Sequence, residues 1–330
     1  MEDRNRRHCR RVSDNSRASV AVDSRRQRIG WWLAALAAIL FSAKAILAKI
    51  LYRHGIDAVT LITLRMAFAL PVFGTVAWLE TRRARARGDH LSWHERAQVV
   101  LLGLLGYYLS SYLDFWGLEF IPVALERIIL FLTPTVVMLL GTLWLGRRAS
   151  RREWIAVAVC YLGVVLVFLG QHTTGQARQL WLGSALVFGA TLSYAAYLVL
   201  SGRLVQRVGS LRLVAYAMSV STFACLLQFV LLREVDTLLL AWPIHAWSLL
   251  NAMLCTVMPV YLTMFAIARI GPSATAQMSF TGPLALLFLG WWLLDEQVTG
   301  WQLLGSAIVL LGVLVLTRPA PVQRLNSAAD

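Results

Sequence analysis

At 330 residues, 58% hydrophobic and only 15% charged, the chain is far too apolar for a soluble domain, whose helices would need polar outer faces. Its net charge of +14 invites nucleic acid as a partner, but the charge lies between apolar runs, where membrane topology accounts for it and no nucleic acid is required. The four cysteines, at 9, 160, 225 and 255, fall in the leader or inside apolar runs and make no disulfide framework.

In chain order, residues 1–28 form an Arg- and Ser-rich leader, expected to be a disordered cytoplasmic tail. Ten apolar runs follow, each near the length of about 20 residues that a spanning helix needs: 29–51, 58–79, 97–117, 121–145, 153–170, 180–201, 211–232, 247–268, 272–294 and 299–317. The expectation is an all-α integral membrane protein without a soluble domain, closed by a tail over 318–330.

Charges inside the runs are few. The first holds Lys44 and Lys49, the only two lysines. Lys49 lies close enough to the run's end to snorkel, whereas Lys44 sits about 10 Å inside at about 1.5 Å per residue. Arg65 lies in the second run, Asp114 near the end of the third, and Glu126 and Arg127 early in the fourth. Charges at such depth are costly and face a cavity or a partner. Two readings compete: an ion-pair network that gates the outer side, or direct contact with an anionic group of the substrate together with a coupling proton. Glu126 and Arg127, about 100° apart on a helix, are expected to contact different helices.

Tyr107, Tyr108 and Tyr112 in the third run, Tyr194 and Tyr197 in the sixth and Tyr261 in the eighth could wall a metabolite pocket or simply pack. Gln277 in the ninth run is a further polar candidate for the substrate path. Pro134 and Pro283 occupy matching places in the fourth and ninth runs. Each removes a helical hydrogen bond and is expected to kink its helix beside a cavity. Trp31, Trp32, Trp93, Trp154, Trp181, Trp242, Trp247 and Trp301 cluster at run ends as interfacial anchors.

Arginines crowd the leader, the 82–96 segment, the 147–152 segment and the 203–212 segment, while the alternate loops hold only Arg53, Arg178 and Arg233. Basic loops stay cytoplasmic, so both termini are expected inside. His90 and His94 share i,i+4 spacing but lack a third ligand, so no metal is assigned. No phosphate loop, dinucleotide fingerprint or nucleophile elbow occurs, and no cofactor is expected.

The chain repeats itself at an offset of 149 residues: Ile121/Ile270, Phe131/Phe280, Pro134/Pro283, Gly141/Gly290, Leu145/Leu294, Ala158/Ala307, Gly163/Gly312 and Val164/Val313 are identical pairs. Five runs per copy is an odd number, so the copies enter the bilayer from opposite sides, an architecture common among secondary transporters. Gly146-Arg147-Arg148 in one copy against Asp295-Glu296-Gln297 in the other fits loops on opposite faces.

Leu130-Phe-Leu-Thr-Pro134, Gly141-Thr-Leu-Trp-Leu-Gly146 and Gly163-Val-Val-Leu, with Arg269-Ile-Gly-Pro-Ser-Ala274, Gly282-Pro283, Leu294-Asp-Glu-Gln297 and Leu311-Gly-Val-Leu-Val in the second copy, resemble the EamA-type drug/metabolite transporters. Where that family often ends a repeat's fourth helix with Gly-Glu, Glu296 fits and Arg147 departs. The resemblance implies two inverted five-helix repeats, over 29–170 and 180–317, with a central cavity between them. It implies a secondary-active exporter or exchanger of a small polar or amphipathic metabolite such as an amino acid. The expected partners are that small-molecule substrate, the lipid bilayer and a coupling proton or counter-substrate, with the carrier a monomer or homodimer in the plasma (inner) membrane. An intramembrane enzyme using Asp114 and Glu126 as acid and base on a lipid-linked substrate, or a non-transporting scaffold, are the alternatives.

Overall fold

The last helix of each repeat starts from the same device. Ser150 N donates to Glu153 Oε2 at 2.7 Å and Glu153 N to Ser150 Oγ at 3.3 Å. Thr299 and Gln302, their equivalents in the second copy, exchange the same two bonds at 3.0 and 3.3 Å. Such a box satisfies amide donors that the first helical turn leaves open. The computed structural model describes the backbone of residues 2–146, 149–169, 177–278, 281–295 and 299–317, with no strand among them.

The first copy contains α1 (Glu2–Arg53), α2 (Ala58–Ala86), α3 (Trp93–Gly103), α4 (Ser110–Phe120), α5 (Val123–Leu130), α6 (Thr133–Leu145) and α7 (Arg151–Leu169). The second contains α8 (Ala177–Val208), α9 (Ser210–Leu232), α10 (Trp242–Ala252), α11 (Met258–Met278), α12 (Thr281–Leu294) and α13 (Gly300–Thr317). Seven stretches among the described residues are long and apolar enough to cross a membrane: Gln27–Arg53, Ala58–Ala86, Trp93–Phe120, Val123–Trp144, Arg178–Val208, Ser210–Leu232 and Trp242–Ile270, with Gly300–Val315 a shorter apolar helix. The expected anchors Trp31, Trp32, Trp93, Trp154, Trp181, Trp242, Trp247 and Trp301 are all exposed, as side chains at a bilayer boundary must be.

Several boundaries differ from expectation. Helix α1 continues back to Glu2 through the leader; the first Pro lies at position 71 and the first Gly at position 30, so nothing in the leader breaks a helix growing back from the span. The run expected at 121–145 is two helices, interrupted at Phe131 and Leu132. The turn expected between 268 and 272 is absent, because α11 runs through Arg269 to Met278 with Pro272 inside it. The charge comparison at Arg147, Arg148, Glu296 and Gln297, and the tail 318–330, lie outside the described residues.

The unpaired carbonyl explains the break at Pro134. Pro134 has no N–H to offer the carbonyl of Leu130, four residues back. Thr133 Oγ1 donates to that oxygen at 2.6 Å, and Thr135 Oγ1 donates to Leu132 O at 2.7 Å. Leu132 N meanwhile turns to Ile129 O at 3.0 Å, tightening the chain before α6 starts. Pro134 thus stands in the first turn of α6, where a missing N–H costs nothing, and not at a bend inside one helix. Pro283 lies in α12, whose preceding residues 279 and 280 are outside the described ones.

Equivalent helices of the two copies pack on one another, antiparallel. Along α7 and α13, Arg152 Nη2 donates to Val315 O at 3.0 Å, and Cys160 Sγ to Val309 O at 3.7 Å. Cys160 and Val309 are themselves repeat equivalents, so they mark the axis relating the copies. A methyl at Gly163 would lie 2.7 Å from Gly305 O and 2.8 Å from Val309 Cγ2. One at Gly312, its equivalent, would lie 3.0 Å from Ala156 O and 2.5 Å from Cys160 Sγ. Helices α2 and α9 also run antiparallel: Asp57 meets Arg233 at 2.7 Å, Thr63 Oγ1 donates to Cys225 O at 3.4 Å, and Thr81 meets Tyr216 at 2.7 Å. The remaining large contacts repeat this symmetry, with α1 on α11 as α8 is on α4.

The third span of each copy changes its winding at the same place. A π-helical stretch over Leu104–Leu109 joins α3 to α4, and another over Met253–Val257 joins α10 to α11. Their first residues are 149 apart in the sequence. Such stretches are rare and frequent at functional sites.

Candidate functional site

Five charged side chains gather where α1, α2, α4 and α5 meet. Lys44, Arg65, Asp114, Glu126 and Arg127 are 9%, 5%, 3%, 0% and 9% exposed. Lys44 Nζ donates to Asp114 Oδ2 at 2.7 Å and lies 5.4 Å from the ring centre of Phe115 and 5.6 Å from that of Phe41. An ammonium held by one carboxylate between two aromatic faces is paired rather than bare, which is how such a group is tolerated inside a membrane protein. Lys49, half-buried nearer the end of α1, stays outside the pair.

Glu126 and Arg127 contact different helices, as their angular offset requires, yet their heads also meet. Arg127 Nε stands 3.8 Å from Glu126 Oε2, and Arg127 Nη2 donates to the carbonyl of Ser42 in α1 at 3.3 Å. Glu126 faces Asp114 of α4. Its oxygens find no hydrogen donor among the described residues, and two carboxyls can share a hydrogen bond only when one of them is protonated. Two buried carboxyls, Asp114 and Glu126, thus lie between the cations Lys44 and Arg127.

Ser42 links this cluster to the second copy. A methyl on Gly282, at the start of α12, would lie 2.5 Å from Ser42 Oγ and 3.2 Å from Ala38 O, so the residue before Pro283 must be small for α12 to reach α1. On the other side of Arg127 a narrow crevice lies between the copies, with Ile128 and Phe131 facing Leu286, Ser306 and Val309.

Arg65 forms no ion pair with the other charges among the described residues. Its guanidinium lies 4.7 Å from the ring centre of Phe115, the ring that Lys44 also approaches, and Nη1 reaches Thr256 Oγ1 of the second π-helical stretch at 3.5 Å. Nε and Nη2 have no acceptor among the described residues.

The tyrosines separate into two groups. Tyr107 meets Tyr197, hydroxyl to hydroxyl at 3.3 Å and edge-on at 5.2 Å, and Tyr197 stacks on Tyr194 at 5.6 Å. Tyr112 stacks on Trp116 at 5.6 Å, while Tyr108 and Tyr261 are half-buried against the central apolar cluster that also holds Phe115. Neither group meets the charges directly by any recorded contact. The side chains of Gln277 and Pro283 lie outside the described residues.

Residues overlooked in the sequence matter here. Thr256 and Ser42 bond the charges, Phe115 is shared by two cations, and Tyr52 Oη donates to Phe115 O at 2.7 Å. Asn251, fully buried two residues before the π-helical stretch, has neither amide atom partnered among the described residues, and neither has the Ser248 hydroxyl. An amide inside an apolar run was the available signal.

The EamA-like transporter family model matches residues 28–169 and again 181–318. The uncharacterized transporter YcbK of Bacillus subtilis (strain 168) is 28% identical over 81% of this chain and 86% of its own length. Protein RarD of Streptomyces exfoliatus is 26% identical over 77% of this chain and 79% of its own. A probable terminal-alkyne amino-acid exporter of Streptantibioticus cattleyicolor is 23% identical over 73% and 77%. A crystal structure with 16% sequence identity superposes with a TM-score of 0.57 over 87% of this chain and 95% of that one, a likeness of fold. With two family repeats spanning nearly all of its apolar length, this multi-pass membrane protein belongs to the EamA-like transporter family.

Proposed function

We propose that the chain is a secondary-active carrier, an exporter or exchanger, for a small polar or amphipathic metabolite such as an amino acid. It sits in the plasma (inner) membrane with both termini cytoplasmic, as ten spans in two inverted repeats, 29–170 and 180–317. Helices α7, α12 and α13 supply the spans beyond the seven longest. The antiparallel run of α7 on α13 and of α2 on α9 supports inversion, since equivalent helices of inverted copies must point in opposite directions. The arginine asymmetry supports the orientation, and the relative named as an amino-acid exporter supports the solute class.

The observation that carries this reading is the Lys44–Asp114 and Glu126–Arg127 set, buried at the junction of helices from the first copy and reached by α12 of the second through Ser42. A static fold gains little from charges kept out of water, because desolvation offsets their attraction. A carrier gains a two-state lock: protonating the Asp114–Glu126 pair weakens the hold on Lys44 and Arg127, and α1 is then free to move against α4 and α5. Proton movement coupled to solute movement follows.

Reconstituted into proteoliposomes, the protein is expected to exchange labelled amino acids when acidified on one side, with protons moving in proportion. Glu126→Gln, which mimics the protonated carboxyl, is expected to keep exchange and lose proton coupling. Absence of flux for every amino acid tested rejects the carrier. Wild-type coupling in Glu126→Gln rejects the proton site.

A further inference from the structure

We propose that Arg65, with Thr256 of the second π-helical stretch, is the subsite that takes the negatively charged group of the transported solute, and that this group is a carboxylate. The inference rests on the carrier reading above and assigns the chemistry of its cargo.

Three observations converge on Arg65. The first is charge. Lys44, Arg65 and Arg127 are three buried cations; Asp114 pairs with Lys44 at 2.7 Å and Glu126 stands 3.8 Å from Arg127, whereas Arg65 forms no ion pair among the described residues. The second is geometry. The guanidinium is 95% buried, one side covered by Phe115 and Nη1 on Thr256, while Nε and Nη2 remain without an acceptor among the described residues. These two donors lie on one edge of the planar fork, the spacing that a carboxylate accepts with both oxygens.

The third is the surroundings. Thr256 belongs to a π-helical stretch, and Ser248, Asn251 and Thr256 form a buried polar stripe along that span. The repeat equivalents of Ser248 and Asn251 are Val99 and Leu102, which belong to a dry apolar cluster. Ser248 and Asn251 are thus polar only in the second copy, while the equivalent of Thr256 is another hydroxyl, Tyr107. Asn251 and Ser248 offer unpartnered amide and hydroxyl groups in the same span as Thr256, suited to the polar part of a solute whose carboxylate rests on Arg65.

The test measures equilibrium binding to the full-length protein in nanodiscs, using the proteinogenic α-amino acids and benzoate, each against its methyl ester, with phenyl phosphate as the other anion source. At least one free acid is expected to bind, its methyl ester at least about tenfold more weakly, and phenyl phosphate no better than benzoate. In Arg65→Gln the acid is expected to fall to the affinity of its ester. Arg65→Lys, which keeps the charge and loses the fork, is expected to fall between, and Thr256→Val to lose a smaller factor. A guanidinium that serves only to pack on Phe115 would lower the melting temperature of Arg65→Gln and leave the acid-over-ester ratio intact, which overturns the proposal. So does a wild-type protein that binds acid and ester alike, prefers phenyl phosphate, or binds no probe. The ester comparison in wild type stands even if Arg65→Gln fails to fold. Acid-selective binding without flux would instead count against the carrier reading.

Discussion

Among single residues, Lys44 has the most to lose. Lys44→Ala leaves Asp114 buried with neither oxygen paired, since Oδ1 has no partner even now. Removing one member of a buried pair costs about 3–5 kcal/mol, so the variant is expected to melt markedly lower and to lose flux. Adding Asp114→Ala removes the stranded charge and is expected to restore the melting temperature. Restored flux in the double variant would make the pair a passive gate, and restored stability without flux would give it a working role. A Lys44→Ala protein with unchanged melting and flux would refute both. Lys49→Ala is expected to be mild. Asp57 offers a pH handle outside the spans. Burial pushes its carboxyl up, but hydrogen bonds from Thr60 and Arg233 and the Arg233 charge outweigh that and hold it below the usual carboxylate range. A lowered folded pKa means stability that is complete above the unfolded value of about 3.9 and is lost as pH falls through the folded value. Melting temperature is therefore expected to drop on acidification below about pH 4, and Asp57→Asn is expected to lack that part of the slope. Identical acid slopes in the two proteins would show that the Asp57–Arg233 pair contributes nothing.

Among elements, the α7–α13 pair is the tightest constraint. A methyl at Gly163 meets the backbone oxygen of Gly305, and backbone cannot swing aside as a flexible side chain can. Gly163→Ala and Gly312→Ala are each expected to destabilise by about 1–3 kcal/mol. Gly141, also inside a helix, has nothing within 4 Å of its added methyl, so Gly141→Ala is expected to be neutral or stabilising by up to about 1 kcal/mol. Melting curves of the three variants side by side check this, and equal effects would mean that the close approach at the axis is not what these glycines provide. The broken fourth span is set by Pro134 and by Thr133 Oγ1, which takes the carbonyl of Leu130 that Pro134 frees. Its interruption one turn past Arg127 leaves that residue's helix only two turns long, the condition under which α5 can tilt without dragging α6.

For the whole molecule, the decisive measurement is sidedness. On a cysteine-free background, Asp295→Cys is expected to react with an impermeant thiol reagent added outside intact cells, and Ser150→Cys only after the membrane is opened. Equal labelling of both from outside would sink the inverted arrangement. The two copies do not sit side by side: α1 packs on α11 and α12, and α8 on α4, α5 and α6. The matched π-helical stretches at Leu104–Leu109 and Met253–Val257 place a locally wider winding at equivalent points of the two copies.

Membrane residence and the duplication were legible in the chain, because apolar length and a 149-residue recurrence are one-dimensional properties. The deep charges were legible too, since Lys44, Arg65, Asp114, Glu126 and Arg127 stand out against apolar neighbours at any fold. What pairs with what was not. Lys44 and Asp114 are 70 positions apart and Arg65 and Thr256 are 191 apart, and only the crossing of α1, α2 and α4 with the second copy brings them within reach. The helix through Arg269 and Pro272, the split at Phe131 and Leu132, and both π-helical stretches escaped notice for a related reason. Hydropathy marks where a chain is apolar, while winding is decided by which backbone oxygens a neighbouring helix leaves to be satisfied.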